Sequence, residues 1–209
     1  MEKTNDSEIY NLSSLMQVTQ ILSDWWSPPD RARLELWASS AYHENFISSW
    51  SLCMKKNRIP AVEKLFTALV SEQDLLGQEY ERLFVGPAAP PCPPYEAVWR
   101  TDRPKHEQGT IMGQCTVDIQ LLYRNIGLQL LSNQGELPDH IAVEFEALAY
   151  ALNLSDKKEF GEELLTRHLN VWLQLFCDSV CLNSKVDFYR NLTDVTLEWT
   201  AFLAVEMDD

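Results

Sequence analysis

The sequence predicts an all-α protein, a bundle of roughly ten helices, and three observations carry that reading. Leucine occurs 29 times against 12 valines and 8 isoleucines, a bias toward good helix formers over β-branched residues. Apolar residues recur at three- and four-residue intervals, which lines one face of an α-helix. No series of alternating strands separated by turn signals occurs along the chain.

Taken in order, the first stripe is Ile9, Leu12, Met16, Thr19 and Trp26. Ser27-Pro28-Pro29-Asp30 should end that helix and start another, with Ser27 as N-cap and Pro28 at the first helical position, where its missing N–H costs nothing. Pro60 is placed to do the same for Val62, Leu65, Phe66 and Leu69. Ser71-Glu72-Gln73-Asp74 has capping-box form and should launch Leu76, Tyr80, Leu83 and Phe84. Further stripes are Ile119, Leu122, Tyr123 and Ile126, stopped by Gly127; Ile141, Phe145, Leu148 and Leu152; and Phe160, Leu164, His168, Trp172 and Leu175. Tyr189, Leu192, Thr196, Trp199 and Leu203 complete the series.

Two segments interrupt the helices. Gly86-Pro87-Ala88-Ala89-Pro90-Pro91-Cys92-Pro93-Pro94-Tyr95 holds five prolines in ten residues, which forbids helix and stiffens an extended path. Ser132-Asn133-Gln134-Gly135-Glu136-Leu137-Pro138-Asp139-His140 is polar and runs into a helix, which puts Asp139 and His140 at a helix N-terminus. The whole chain, 1–209, then reads as one all-α domain. An N-terminal lobe spans about 1–85, a proline-rich connection 86–106, and a C-terminal lobe about 107–209.

Composition narrows the function. With 31 acidic and 17 basic side chains the formal charge is 17 − 31 = −14, which argues against nucleic acid and favours basic peptides. The N-terminus lacks a basic region followed by an apolar one, and no long apolar run occurs, so a soluble, unexported, cytoplasmic protein is expected. Five cysteines without framework spacing fit free thiols in a reducing compartment. There is no phosphate loop, no Gly-x-Gly-x-x-Gly, no Gly-x-Ser-x-Gly and no Cys-x-x-Cys. No cofactor, metal ligand set or catalytic residue is therefore assigned. Cys177 and Cys181 lie four apart, but no histidine pair completes a tetrahedral set, and core packing is the expectation for both.

Asp139, His140 and Glu144 cluster at one helix start, with His140 and Glu144 on a shared face. Two readings stay open for them: an acid-base or metal site needing a further convergent ligand, or Asp139 capping its helix while His140 packs on the preceding loop. His168, among Leu164, Leu165, Leu169 and Trp172, is expected to be a satisfied core histidine.

Tyr80-Glu81-Arg82-Leu83-Phe84-Val85-Gly86-Pro87, followed by Pro93-Pro94-Tyr95-Glu96-Ala97-Val98-Trp99, resembles the signature of the TorD/DmsD family of redox-enzyme maturation chaperones. Glu136-Leu137-Pro138-Asp139-His140 resembles that family's second motif. The likeness continues through His168-Leu169-x-x-Trp172 and Phe188-Tyr189-Arg190, covering about three quarters of the chain, with residues 1–70 matching in helical character only. Ala88 stands where the DmsD branch has Trp, and Val171 where it has Pro, which leaves the branch and the cargo open.

The resemblance implies a cytoplasmic chaperone, not an enzyme. Its partner would be the twin-arginine signal peptide of a molybdopterin-containing oxidoreductase subunit, held until the cofactor is inserted and before export. The peptide site it implies maps onto Leu83, Phe84, Pro94, Tyr95, Asp139 and His140. On physical grounds Glu96 and Glu136 join the site as partners for the two guanidinium groups, with Leu83, Phe84, Pro94 and Tyr95 holding the apolar part of the leader. If Asp139 is committed to its helix, Glu136 or Glu144 meets the arginines instead, and His140 makes binding sensitive near neutral pH. The alternatives are a helical hydrolase or metal enzyme using Asp139, His140 and Glu144, and a generic acidic protein-interaction module. Guanine-nucleotide binding has little support without a phosphate loop. The proline-rich hinge allows a monomer or a domain-swapped dimer.

Overall fold

The computed structural model describes residues 6–54, 59–87, 89–129 and 136–208, and the side chains of these except 6–11, 155 and 208. Residue 88 and the 132–135 part of the second loop lie outside the described residues, as does the Ile9 side chain. Among the described residues the architecture is all-helical: α1 Asp6–Trp25, α2 Arg31–Trp37, α3 Ser40–Cys53, α4 Ile59–Tyr80, α5 Glu96–Trp99, α6 Gln114–Asn125, α7 Ile141–Leu152, α8 Lys158–Glu163, α9 Asn170–Asn183 and α10 Asp187–Asp208. Among the described residues, extended backbone pairs only at one isolated antiparallel bridge, Tyr95 with His140, and no helix is long and apolar enough to cross a membrane.

Helix α1 packs on α7 and α3, and α10 packs on α4 and α9, so elements from both sides of the proline-rich segment share one core. Six tryptophans (Trp25, Trp26, Trp37, Trp50, Trp172 and Trp199) are almost fully buried in it. The threonines that interrupt the apolar stripes have a purpose. Trp199 Nε1 donates to Thr19 Oγ1 at 2.9 Å, and Trp26 Nε1 donates to Thr196 Oγ1 at 3.1 Å. These two crossed bonds tie α1 to α10 and satisfy indole N–H groups that would be costly to bury unpaired.

Four local expectations are corrected. On α1 the buried face is Leu15, Val18, Thr19, Ile21, Leu22 and Trp25, continued by Trp26 just past its end, while Leu12 is 47% exposed, because the partner helices cover a stripe displaced from the one the spacing suggested. Ser27 caps nothing: its hydroxyl donates to Ser23 O, and Asp30 is the N-cap of α2, accepting from Arg33 N–H at 2.8 Å. Ser71-Glu72-Gln73-Asp74 starts no helix, since α4 runs through it unbroken. The Glu72 carboxylate instead accepts from Asp187 N–H and Phe188 N–H at the start of α10, a tertiary cap invisible to local spacing.

The fourth concerns Leu175, which is 42% exposed where the stripe predicted it buried. A π-helical stretch, Leu164–Leu169, separates α8 from α9 and adds a residue to the turn. The inward face is thereby advanced, and Phe176 takes the buried place. The last stripe is buried as predicted, from Tyr189 to Leu203. Gly127, at φ 81°, follows α6 in the left-handed conformation expected of a helix-stopping glycine.

Candidate functional site

The two non-helical segments lie side by side. Around the Tyr95–His140 bridge, Glu96 N–H donates to Asp139 O and Ile141 N–H donates to Pro94 O, both at 2.9 Å. Prolines explain why the pairing stops there, since a segment so poor in N–H groups cannot extend a ladder. Other contacts pin the proline-rich strap down. Trp99 Nε1 donates to Pro93 O at 2.6 Å, Cys92 N–H to Leu83 O at 2.9 Å, and Ser179 Oγ to Pro91 O at 3.3 Å. On the other side, Tyr123 Oη donates to Pro138 O at 3.0 Å.

Capping at this junction is the reverse of one reading of the sequence. His140 is the N-cap of α7, with Nδ1 accepting from Ala142 N–H at 3.1 Å. Asp139 reaches across to the strap, where Oδ2 accepts from Ala97 N–H in the first turn of α5 at 3.3 Å. Burial holds the His140 imidazole down to about 3, so it is neutral near pH 7 and the expected sensitivity there does not arise from it.

Beneath the junction is a closed polar cluster. Glu96 is wholly buried, with Oε1 2.6 Å from Arg100 Nη1 and Oε2 2.8 Å from His168 Nδ1. His168 is thus the satisfied core histidine expected. Arg100 also donates to Arg167 O at 2.9 Å and forms a fork with Asp102. Glu144, equally buried, faces no cationic partner within ion-pair distance among the described residues, and the Trp172 indole is its one neighbouring donor. Burial, and then repulsion from Glu96 and Asp139, pushes its carboxyl well above the usual range. Burial likewise raises Asp139, against the pull of the Ala97 N–H.

Of the eight sequence-predicted site residues, Leu83, Phe84, Pro94, Glu96, Asp139 and His140 are buried. Phe84 points into the core, 4.9 Å from the Tyr80 ring and 5.4 Å from Tyr189. Tyr95 and Glu136 keep access to solvent, and they touch: Tyr95 Oη donates to Glu136 Oε2 at 3.3 Å. His140 Nε2 is 3.8 Å from the same oxygen, and its ring meets Tyr95 edge-on at 5.3 Å.

Glu136 and His140 open onto a groove of about 470 Å³ between the α1–α2 corner and the start of α7. Its charged lining is Asp24, Asp30, Glu136 and Glu146 against a single cation, Arg33, while Pro28, Pro29, Ala142 and Val143 supply apolar wall. Burial raises the Asp24 carboxyl, with Arg33 and a Gln20 hydrogen bond pulling it back; burial also raises Glu136, opposed by the Tyr95 hydroxyl. Asp24, Asp30, Arg33 and Glu146 were missed from the sequence. The available signal was the pair of aspartates flanking Trp25-Trp26-Ser27-Pro28-Pro29, and Glu146, which falls off the buried face of α7.

A family model described as nitrate reductase delta subunit matches residues 57–178, more than half of the chain. The chain belongs to this family. Its TorD/DmsD character, expected from the two motifs, is seen in the relatives. The Tat proofreading chaperone DmsD of Salmonella typhimurium is 32% identical over 137 residues, 64% of each chain. The probable DmsD of Haemophilus influenzae is 22% identical over 81% of this chain and 79% of its own. The chain thus spans about 64% of the length of the Salmonella relatives it matches. A crystal structure titled as a putative redox enzyme maturation protein from Archaeoglobus fulgidus shares the fold, with a TM-score of 0.51 at 20% identity over 97% of this chain and 96% of its own. The family match begins at residue 57, so α1 and α2, which supply half of the groove, lie outside it.

Proposed function

We propose that this protein is a cytoplasmic chaperone that binds the twin-arginine signal peptide of a molybdopterin-containing oxidoreductase subunit while the cofactor is inserted, before export. The observation that carries the reading is the groove, with four carboxylates and one guanidinium, formed where the family's second motif meets the α1–α2 corner. Guanidinium groups bind carboxylates through short, charge-assisted and often bidentate bonds. Glu136, Asp24 and Glu146 have the solvent access needed to make them. The adjoining Pro28, Pro29 and Val143 surface suits the apolar residues that follow the arginines.

In this account Glu96, Asp139 and His140 act by positioning: they fix the strap on the start of α7 and so hold Tyr95 and Glu136 at the groove's edge. The hydrolase reading is disfavoured by burial, because Asp139 and Glu144 are wholly enclosed.

The test is titration of the protein with a twin-arginine leader peptide and with a copy carrying Ala at both arginines. Wild type should prefer the arginine peptide, with the preference shrinking at high salt as screening shortens the reach of the groove's charge. Asp24→Asn combined with Glu136→Gln should weaken binding at low salt by tenfold or more, since a hydrogen bond to a charged group contributes about 1.5–3 kcal/mol. Equal affinity of wild type for both peptides, or of wild type and variant for the arginine peptide, contradicts the proposal.

A further inference from the structure

The acidic groove opens onto a seam between two helices. Helices α1 and α7 pack along one another, and a few contacts fix their direction. Ser23 Oγ donates to Ala142 O at 2.8 Å, which joins the end of α1 to the start of α7. The Trp26–Thr196 and Trp199–Thr19 bonds make α10 antiparallel to α1. Gly161 lies against both Ala151 and Met207, so the end of α7 meets the end of α10, beside the start of α1. The α1–α7 pair is therefore antiparallel. Asp24 and Ala142, then Gln20 and Glu146 one turn on, line the groove. One more turn in the same register brings Met16 to the level of Tyr150.

What this seam presents to solvent changes along its length. Within α7 only Glu146 and Tyr150 are exposed, and they share one stripe four residues apart. The accessible stripe of α1 runs from Asp24 through Gln20 and Met16 to Leu12, again in steps of four. Carboxylates hold the groove end, and past Asp24 and Glu146 they stop. Residues 9–23 and 147–155 carry no charged side chain, although 23% of the chain is charged. Burial accounts for that at the inward positions, but not at Leu12, 47% exposed, or at Tyr150, 40% exposed.

We infer that the α1–α7 seam is the docking track for the uncharged, apolar segment that follows the arginine pair of an export leader, entered past Val143 and carried by Met16, Leu12 and Tyr150. The inference rests on the groove being the arginine-binding site. Continuity and charge order select this occupant, because a leader that is basic and then apolar matches a surface that is acidic and then apolar. The seam also sets a direction: the leader runs parallel to α7 and antiparallel to α1. From Asp24 to Leu12 the track is about 18 Å long at 1.5 Å per residue, room for about five extended residues or about twelve helical ones.

The experiment titrates the full-length protein with a twin-arginine leader peptide and with a copy whose apolar segment is replaced by Gly and Ser. Leu12→Gln combined with Tyr150→Gln, both at exposed positions, should bind the leader about five- to tenfold more weakly than wild type does, and the Gly/Ser copy equally well. Benzophenone placed at the fourth and at the eighth residue after the arginines should crosslink wild type within 12–20 and 143–150, the later position nearer Leu12. Unchanged leader affinity in the variant, an equal loss for both peptides, or adducts from those positions on α2 around Leu36 overturns the inference. The two readings fail differently. If wild type prefers the arginine pair but the seam results are negative, the track falls and the groove reading stands. If wild type is indifferent to the arginines yet crosslinks along the seam and loses affinity in the variant, the arginine groove falls and the apolar track stands.

Discussion

Arg100→Ala is expected to lower the unfolding free energy by about 3–5 kcal/mol, the cost of removing one partner from a buried ion pair. Glu96 is fully buried and would lose its one cationic side chain at 2.6 Å while keeping its contact with His168. The Arg167 carbonyl would lose the Arg100 donor as well. Because Glu96 opens α5 and its N–H holds the Asp139 carbonyl, the damage should spread to the strap. Urea unfolding should show a lower midpoint with little change in slope. Adding Glu96→Gln to Arg100→Ala should recover part of the loss, since a neutral amide needs no counter-ion. A single variant as stable as wild type would mean that the pair is not closed to water.

Glu144→Gln is expected to make the protein more stable at neutral and alkaline pH, by an amount that grows with pH. The Glu144 carboxyl is held well above its ordinary value of 4.5, so the folded state keeps a proton that the unfolded state has already released. Between 4.5 and the folded-state value, stability falls as pH rises, by about 1.4 kcal/mol per pH unit. The amide abolishes that decline while filling nearly the same space. His140 works in the opposite direction: lowered from 6.5 to about 3, it contributes stability that is present above pH 6.5 and lost as the pH falls toward 3. The two slopes oppose each other between 4.5 and 6.5 in each protein, and the His140 slope, common to both, cancels from their difference. Urea unfolding of wild type and Glu144→Gln from pH 5 to pH 8 should give diverging stabilities, and parallel ones would contradict a buried, protonated carboxyl.

The adjacency of the strap and the Asp139-His140 step was legible in the sequence, because both motifs fall in the segment that carries the family likeness. The roles within them were not. Whether Asp139 caps its own helix or its neighbour's depends on Ala97 lying opposite it, and local spacing holds no information about a residue 42 positions away. Glu96 looked like a surface partner for arginine but is enclosed by Arg100 and His168. The groove's other half was hidden for a related reason. Asp24, Asp30 and Arg33 become neighbours of Glu136 only because α1 packs along α7, a contact between distant segments. At the level of helices the periodicity succeeded in α7 and α10, chose a displaced stripe on α1, where Leu12 is exposed, and slipped where the π-helical stretch at 164–169 advanced the buried face.

The most direct measurement of the central claim is photo-crosslinking from a leader peptide that carries a benzophenone residue beside its two arginines, followed by mapping of the adducts on the full-length chain. Adducts are expected on the groove walls, within 20–33 and 136–146, and should disappear when Asp24→Asn and Glu136→Gln are combined. Adducts that persist in that variant, or that concentrate on the exposed faces of α6 or α9, would contradict the account.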